Sequence, residues 1–133
     1  MANEGMTIGQ AAAAVGVNVE TVRFYERRGM IEQPRKQGHR RHYSPAVIER
    51  LQFIRRAQHV GFSLREVHEL LVLQSDPEAD CSDVRSRTIQ KLQVIDAKIE
   101  DLARMKAALE TMVTFCPAKG SLRSCTILGA LAG

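Results

Sequence analysis

The sequence predicts a mainly all-α protein with a head of short helices, one long helix that pairs with a second copy, and a short C-terminal segment. In the head, four short apolar-periodic runs each begin at a capping residue, and the first three end at or near a glycine. An apolar seam with heptad spacing then runs from Leu92 to Val113. The chain's three cysteines, Cys81, Cys116 and Cys125, lie around the two ends of that seam.

The first two predicted helices are short and close together in the chain. A capping-box spacing starts the first helix at Thr7, and Gly16 ends it. Asn18 caps a second helix over about residues 19–28, with Gly29 as its left-handed stop. Two such helices joined by a tight turn that contains glycine form a helix-turn-helix.

A basic segment follows this helix pair directly. Residues 35–43 hold a central glycine, Gly38, among Arg, Lys and His side chains. The composition suits either a solvated basic loop or a small hairpin. Its place immediately after the helix-turn-helix favours a hairpin that acts as a wing.

Two further helices are predicted to support the first pair. Ser44 and Pro45 form a cap and a first helical residue, and an apolar stripe continues to about Val60. Ser63 and Glu66 have capping-box spacing and open the next helix, which also has an apolar face. The polar residues before residue 81 read as a connector to the long helix.

The long helix predicts a dimer. Every heptad position of its seam is apolar except the one that Lys106 occupies. The apolar positions are Leu92, Ile95, Ile99, Leu102, Leu109 and Val113. A helix over residues 84–114 is roughly 45 Å long at ~1.5 Å per residue, so Cys81 and Cys116 of one chain cannot meet. In an antiparallel pair, Cys81 of one subunit would approach Cys116 and Cys125 of the other, giving two three-thiol sites per dimer.

Local sequence around the cysteines suggests how each is held. Asp80 and Asp83 have the spacing of an N-cap and third helical residue, which puts Cys81 in a first helical turn, where an anionic ligand is favoured. Pro117 breaks the chain after Cys116. Ser124 is predicted to cap a short final helix that begins around Cys125, with inward-facing side chains at Ile127, Leu128 and Leu131.

Composition and charge limit the class of protein. The 133 residues are 44% hydrophobic, and no stretch is long or apolar enough to cross a membrane. Ten Lys/Arg oppose five Asp/Glu up to Phe62, whereas nine oppose ten beyond it, so the first half is the one suited to nucleic acid. With no secretory signal at the N-terminus, the odd cysteine count favours reduced thiols in the cytoplasm.

These elements predict four segments. Residues 1–74 form the winged helix-turn-helix head, residues 75–80 the connector, residues 81–115 the dimerisation helix, and residues 116–133 a metal-binding loop with a short terminal helix.

Several motifs together are similar to those of the MerR family of transcriptional regulators, and the resemblance covers nearly the whole chain. They are Thr7-Ile8-Gly9, the run from Val17 to Arg27, Arg41-His42-Tyr43 and Gly61-Phe62-Ser63-Leu64. His42 stands where family members often have a second basic residue. The resemblance implies a winged helix-turn-helix head and an antiparallel coiled-coil homodimer that binds palindromic promoter DNA and acts on RNA polymerase.

The resemblance also implies which side chains meet DNA. On the second helix they are Arg23, Tyr25 and Arg27, with Thr21 near a phosphate, and in the wing they are Arg41 and Tyr43.

Within the family, the cysteine pattern is similar to that of mercury-responsive members, whereas copper-type members commonly carry Ser at the first of the three positions. It implies one Hg²⁺ per site, held by Cys81 from one subunit and by Cys116 and Cys125 from the other. Three thiolates suit a very soft cation, and zinc would usually require a fourth ligand. Lead, cadmium and zinc remain as alternatives to mercury.

Two other interpretations compete with this one. A lone cysteine is more often an inert core residue than a ligand, although three at this spacing favour metal binding. A thiol redox sensor or thiol enzyme could use the same cysteines, but the sequence contains no Cys-x-x-Cys pair or cofactor loop. The scattered histidines, His39, His42, His59 and His68, are interpreted as surface or DNA-facing side chains.

Overall fold

A computed structural model gives the fold and describes residues 5–34, 36–37 and 40–133, with the two short strands described by their backbone alone. In chain order, the elements are α1 (Ile8–Val15), α2 (Val19–Arg27), β1 (Lys36–Gln37), β2 (Arg40–Arg41), α3 (Pro45–His59), α4 (Leu64–Gln74), α5 (Cys81–Phe115), a 3₁₀ turn (Leu122–Ser124) and α6 (Thr126–Ala132). The predicted all-α class, with one small hairpin, is confirmed.

Backbone packing divides the chain into two compact units, Met1–Val84 and Arg85–Gly133. The first unit contains the four short helices and the hairpin. The second contains most of α5, the 3₁₀ turn and α6. The boundary between them lies inside α5, just after its first turn.

The predicted helix starts in the head are confirmed by their hydrogen bonds. Thr7 and Ser63 each form a complete capping box, while Asn18 and Ser44 accept a backbone N–H from the third helical residue. The helix α2 ends one residue earlier than predicted, and Gly29 follows with a left-handed φ of 72°. These local bonds satisfy N–H groups that have no partner inside the helix.

One hydrophobic core joins the head. Val22 from α2, Leu51 and Ile54 from α3, and Val67 from α4 are all completely inaccessible to solvent. The core cluster also includes Ala11 from α1. The prediction that α3 and α4 support the helix-turn-helix is therefore confirmed by their packing.

The predicted wing is a minimal antiparallel hairpin, in which Lys36 pairs with Arg41 and Gln37 pairs with Arg40. Arg35, Gly38 and His39 lie outside the described residues.

The long helix α5 spans 35 residues, and none of its side chains is buried in the single chain. Leu92, Ile99, Leu102, Leu109 and Val113 of the predicted seam are all exposed. No helix in the described part of the chain combines the length and apolar character needed to span a bilayer.

The C-terminal segment corrects one predicted cap. Ser124 lies in the 3₁₀ turn, where its hydroxyl donates to the carbonyl of Ser121 at 3.1 Å, and it is not the N-cap residue of α6. Helix α6 instead starts at Thr126, with Cys125 as its N-cap residue and no side-chain cap. Leu128 and Leu131 were predicted to face inward, but both are exposed in the single chain because no other element of the unit covers them.

Candidate DNA-binding surface and metal centre

Helix α2 carries three of the six predicted DNA-contacting residues with side chains that are at least partly exposed. Arg23 and Arg27 are solvent-exposed, and Thr21 is half-buried. The Thr21 hydroxyl donates to Asn18 Oδ1 at 2.9 Å, so it serves the helix cap. Arg23 pairs with Glu20 at 3.0 Å in a solvated contact of little strength, so its guanidinium can exchange this partner for a DNA acceptor.

Tyr25 and Tyr43 require a correction. Both were predicted to meet DNA, but they are only 3% and 2% exposed and belong to the core. The Tyr25 hydroxyl donates to Gln58 Oε1 at 2.7 Å, and the Tyr43 hydroxyl donates to a carboxylate oxygen of Glu26. Their rings therefore hold α2, α3 and the base of the wing together, and neither ring is presented to a DNA strand.

Burial also changes the ionisation of Tyr25. Desolvation raises the pKa of its phenol, and the positive charge of Arg55 acts in the opposite direction and partly offsets this effect. The phenol therefore stays neutral and remains a hydrogen-bond donor to Gln58 across the physiological pH range.

Phe24 on α2 and Arg28, the residue that follows this helix, were not among the predicted site residues. The Arg28 guanidinium lies 4.9 Å from the ring centroid of the half-buried Phe24, at a distance typical of a cation–π contact. This contact keeps the exposed Arg28 beside Arg27 at the C-terminal end of α2. The run Arg27-Arg28 was visible in the sequence, but the ring contact depends on three-dimensional placement.

The hairpin places the backbone of Arg41 in β2, two residues before Tyr43. The side chain of Arg41 lies outside the described residues, so its predicted contact with DNA stays a prediction.

Cys81 is the first residue of α5 and its side chain is exposed. The N-terminus of the helix is organised around Asp80, whose carboxylate accepts the Ser82 N–H at 2.7 Å, while the Asp80 N–H donates to Asp83 Oδ2 at 2.9 Å. The side-chain hydrogen bond from the Ser82 hydroxyl, followed by that from its backbone N–H, lowers the pKa of the Asp80 carboxyl. The predicted capping pair therefore fixes Cys81 in the first turn of the helix.

Cys116 and Cys125 flank the base of one closed loop. The Thr126 hydroxyl donates to the carbonyl of Phe115 at 3.1 Å, so the residues next to the two cysteines are bonded to each other. Both cysteines are partly buried and free of disulfides. Two of the three predicted ligands thus stand next to the residues whose hydrogen bond closes this loop at the C-terminal end of α5.

The backbone inside this loop turns back on the first thiol. Ala118 adopts a φ of 69°, in the left-handed region that non-glycine residues seldom occupy, and its N–H donates to Cys116 Sγ at 3.4 Å. This hydrogen bond orients the sulfur within the loop.

The described residues of one chain do not form a complete metal site. Among the described residues, no group of three or more His, Cys, Asp or Glu side chains is close enough together to hold an ion. That His42, His59 and His68 do not bind metal stays a prediction, and His39 lies outside the described residues.

A helix-turn-helix with exposed arginines and a flanking basic hairpin defines the class, a DNA-binding protein with a winged head. The family model described as MerR HTH family regulatory protein matches residues 6–73, and the model described as MerR, DNA binding, matches residues 48–112.

Relatives and solved structures extend over nearly the whole chain. The mercuric resistance operon regulatory protein of Serratia marcescens is 43% identical over 131 residues, covering 98% of this chain and 90% of that protein. The crystal structure of MerR from Bacillus megaterium MB1 in complex with mercury(II) is 36% identical, with a TM-score of 0.72 and coverage of 92% and 95%. The transcription regulator PbrR691 from Ralstonia metallidurans CH34, in complex with lead(II), is 31% identical, with a TM-score of 0.84 and coverage of 95% and 98%.

The chain belongs to the MerR family of helix-turn-helix regulatory proteins. It is therefore a DNA-binding transcription regulator and not an enzyme.

Proposed function

We propose that the protein is a mercury(II)-responsive regulator of a mercury-resistance operon, which represses without metal and activates with Hg²⁺ by distorting promoter DNA. The observation that carries the proposal is the set of free thiols at the two ends of α5, with Cys116 and Cys125 already held at the base of one loop.

The donor set favours a soft ion. Three thiolates match the preference of Hg²⁺, whereas a structural zinc site normally has four ligands. The mercuric relative supports mercury, and the similar fold of the lead(II) complex makes Pb²⁺ the competitor to test.

The proposed site is shared between two subunits. A 35-residue helix such as α5 is about 50 Å long, so its first and last residues do not share an ion within one helix. In an antiparallel dimer, Cys81 of one protomer lies near Cys116 and Cys125 of its partner. Each dimer would then bind one Hg²⁺ in each of two equivalent sites, and the exposed seam of α5 supports this pairing because it lacks a partner in the single chain.

The head would act on promoter DNA. In the proposed homodimer, two copies of α2 bind a palindromic promoter, with Thr21, Arg23 and Arg27 facing the DNA. Arg41 contacts the DNA from the wing. Bound Hg²⁺ crosslinks the thiolates and thereby stabilises one relative arrangement of the two subunits. By binding that arrangement more tightly, the ion shifts the population toward a DNA shape that RNA polymerase can use.

Replacing each cysteine separately by serine tests the thiol site. We expect Cys81→Ser, Cys116→Ser and Cys125→Ser to lose the transcriptional response to Hg²⁺, because each removes one of three ligands. Loss of an outer-shell partner lowers the metal affinity of a site by roughly 10- to 100-fold. Loss of a direct ligand should therefore raise the Hg²⁺ concentration needed for half-maximal transcription by more than this. The measurement is operator-dependent transcription during parallel titrations of reduced protein with Hg²⁺, Pb²⁺, Cd²⁺ and Zn²⁺.

Ala79→Ser is the matched control, since it adds a hydroxyl near the start of α5 without removing a thiol. All variants should still bind the operator without metal. A normal Hg²⁺ response in the three cysteine variants would refute the thiol site, and a stronger response to Pb²⁺ in the original protein would replace mercury by lead as the effector.

A further inference from the structure

The chain segment before α1 pairs with the end of the hairpin. The Met6 N–H donates to the Tyr43 carbonyl at 2.9 Å, and the Tyr43 N–H donates to the Met6 carbonyl at 2.7 Å. These two bonds form an antiparallel bridge just beyond β2. Gly5 and Met6, called the strap below, thus hold the base of the hairpin from the N-terminal side.

The strap approaches the hairpin too closely for a side chain at its first residue. A Cβ atom on Gly5 would lie 2.7 Å from the carbonyl oxygen and 2.9 Å from the carbonyl carbon of Tyr43. Both contacts are with backbone, so no side-chain rotation relieves them. A glycine at this position is therefore required by the pairing itself.

The residue that the strap holds also contacts the DNA-facing helix. Tyr43 is 2% exposed, and its hydroxyl donates to a carboxylate oxygen of Glu26 in α2. A continuous set of hydrogen bonds therefore runs from Met6 through Tyr43 to Glu26. Its effect is to fix the base of the wing relative to the helix that carries Arg23 and Arg27.

We propose that Gly5 and Met6 are positioning residues for DNA binding, which set the register and angle of the wing against α2 through the paired backbone of Tyr43. The proposal rests on the proposed contact of the wing with DNA. Loosening the strap should let the wing swing away from the DNA backbone, so that operator binding loses the phosphate contact of the wing while the core of the head stays folded.

A stabilising role alone would have a different signature. A partly unfolded head binds DNA less because fewer molecules are competent, and each competent molecule keeps the same number of phosphate contacts. The slope of log affinity against log salt would then be unchanged. A misplaced wing loses a contact and reduces that slope by about 0.9 for each phosphate released.

Two strap variants and two matched controls make this distinction. Met6→Pro removes the N–H that donates to Tyr43, and Gly5→Ala introduces the backbone clash. Met6→Ala keeps the N–H, and Gly9→Ala adds a Cβ at a position with no atom within 4 Å. Operator affinity of the metal-free dimer is measured at several salt concentrations, at a temperature below the unfolding midpoint of each variant.

We expect Met6→Pro and Gly5→Ala to bind the operator about five- to tenfold more weakly at moderate salt, as loss of about one hydrogen bond to phosphate predicts, with a reduced salt slope. Both controls should bind within about twofold of the original protein and keep its slope. If Met6→Pro does not fold, Gly5→Ala carries the test, because it removes no donor. Weaker binding with an unchanged slope, or unchanged binding by the strap variants, overturns the proposal.

Arg41→Ala separates failure of the strap from failure of the proposed wing contact. If Arg41 meets phosphate, this variant has a reduced slope, and adding Gly5→Ala to it should cost less than Gly5→Ala costs alone, since the contact is already lost. An unchanged slope in Arg41→Ala removes that residue's proposed role. In that case the strap is judged by whether Met6→Pro itself reduces the salt slope. If Arg41→Ala does reduce the slope but Gly5→Ala weakens binding equally with and without it, the strap does not act through the wing.

Discussion

Tyr25 lies on the same short helix as the exposed Arg23 and Arg27, yet its ring belongs to the core of the head. Tyr25 was predicted to contact DNA together with these arginines, and local spacing could not correct this because tyrosine suits both a core and a DNA surface. The hydrogen bond to Gln58 on α3 settles its direction. Amphipathic residues of this kind are placed by their long-range partners, which periodicity does not reveal.

Tyr25→Phe should reveal the buried phenol through stability and pH. Loss of the hydrogen bond to Gln58 should lower the free energy of unfolding by about 1 kcal/mol near pH 8. Because the pKa of Tyr25 is raised in the folded protein, its stabilising effect is complete below the ordinary value of 10.0 and is lost as the pH rises above it. Chemical denaturation from pH 8 to pH 11 should therefore show the two proteins converging at the alkaline end.

Both proteins retain Tyr43 and the same lysines, so the difference between them reports Tyr25 alone. A difference that stays constant over the whole pH range would contradict the raised pKa, while equal stability at pH 8 would contradict the hydrogen bond.

At the scale of the element, the capped helices were the most predictable part of the fold. The caps at Thr7, Asn18, Ser44 and Ser63 depend on residues three positions apart, so the sequence contains all the information that these starts require. Ser124 has similar chemistry, but a 3₁₀ turn takes up its hydroxyl before α6 begins. The short C-terminal elements depend on loop closure, which local rules do not capture.

The seam of α5 makes a separate prediction about assembly. Leu102 and Leu109 are 63% and 59% exposed in the single chain, although their heptad spacing is that of buried coiled-coil positions. Replacing both by Gln should weaken dimerisation by at least about a hundredfold, because each leucine loses its apolar burial in both subunits. Sedimentation analysis over a range of protein concentrations measures this effect.

Val94→Gln combined with Ala108→Gln is the control, since both residues lie on α5 away from the seam. The control should remain dimeric at the same concentrations, and helix content should be similar in the two double variants because Gln is a good helix former. Equal dimer affinity in both would remove the seam as the dimer interface.

At the scale of the whole molecule, the sequence predicted the order of functions along the chain: a basic DNA-binding head, a long helix and a thiol-containing end. The fold has the short helices first and the long helix after them, and the MerR HTH family model matches residues 6–73. Neither the pairing of Tyr43 with Met6 nor the bond between Thr126 and Phe115 could be predicted, because each joins residues that no local motif relates. Part of the candidate site thus depends on contacts between distant residues.

A mixed dimer tests whether each metal site is shared between subunits. A Cys81→Ser chain paired with a Cys116→Ser chain keeps one complete set of thiols if Cys81 acts with Cys116 and Cys125 of the partner subunit. We therefore expect one tightly bound Hg²⁺ per mixed dimer, counted by mass spectrometry of the intact complex after purification through two different tags.

Neither parental homodimer keeps a complete three-thiol site, so each should hold Hg²⁺ more weakly than the original protein, which should bind two ions. Complete loss of binding in the mixed dimer would contradict a shared site. If each site took all three cysteines from one chain, each chain of the mixed dimer would lack one ligand and neither site would be intact.

The bond between Thr126 and Phe115 has a consequence for metal affinity. In the proposed metal site, Cys116 and Cys125 would act as a bidentate chelate, because this bond closes the loop before any ion arrives and the second sulfur would meet the ion at a high effective concentration. Under the proposed arrangement, the third sulfur comes from another molecule and carries no such advantage until the subunits associate. The Hg²⁺ threshold of the response would then be set by the strength of the dimer as much as by the chemistry of sulfur.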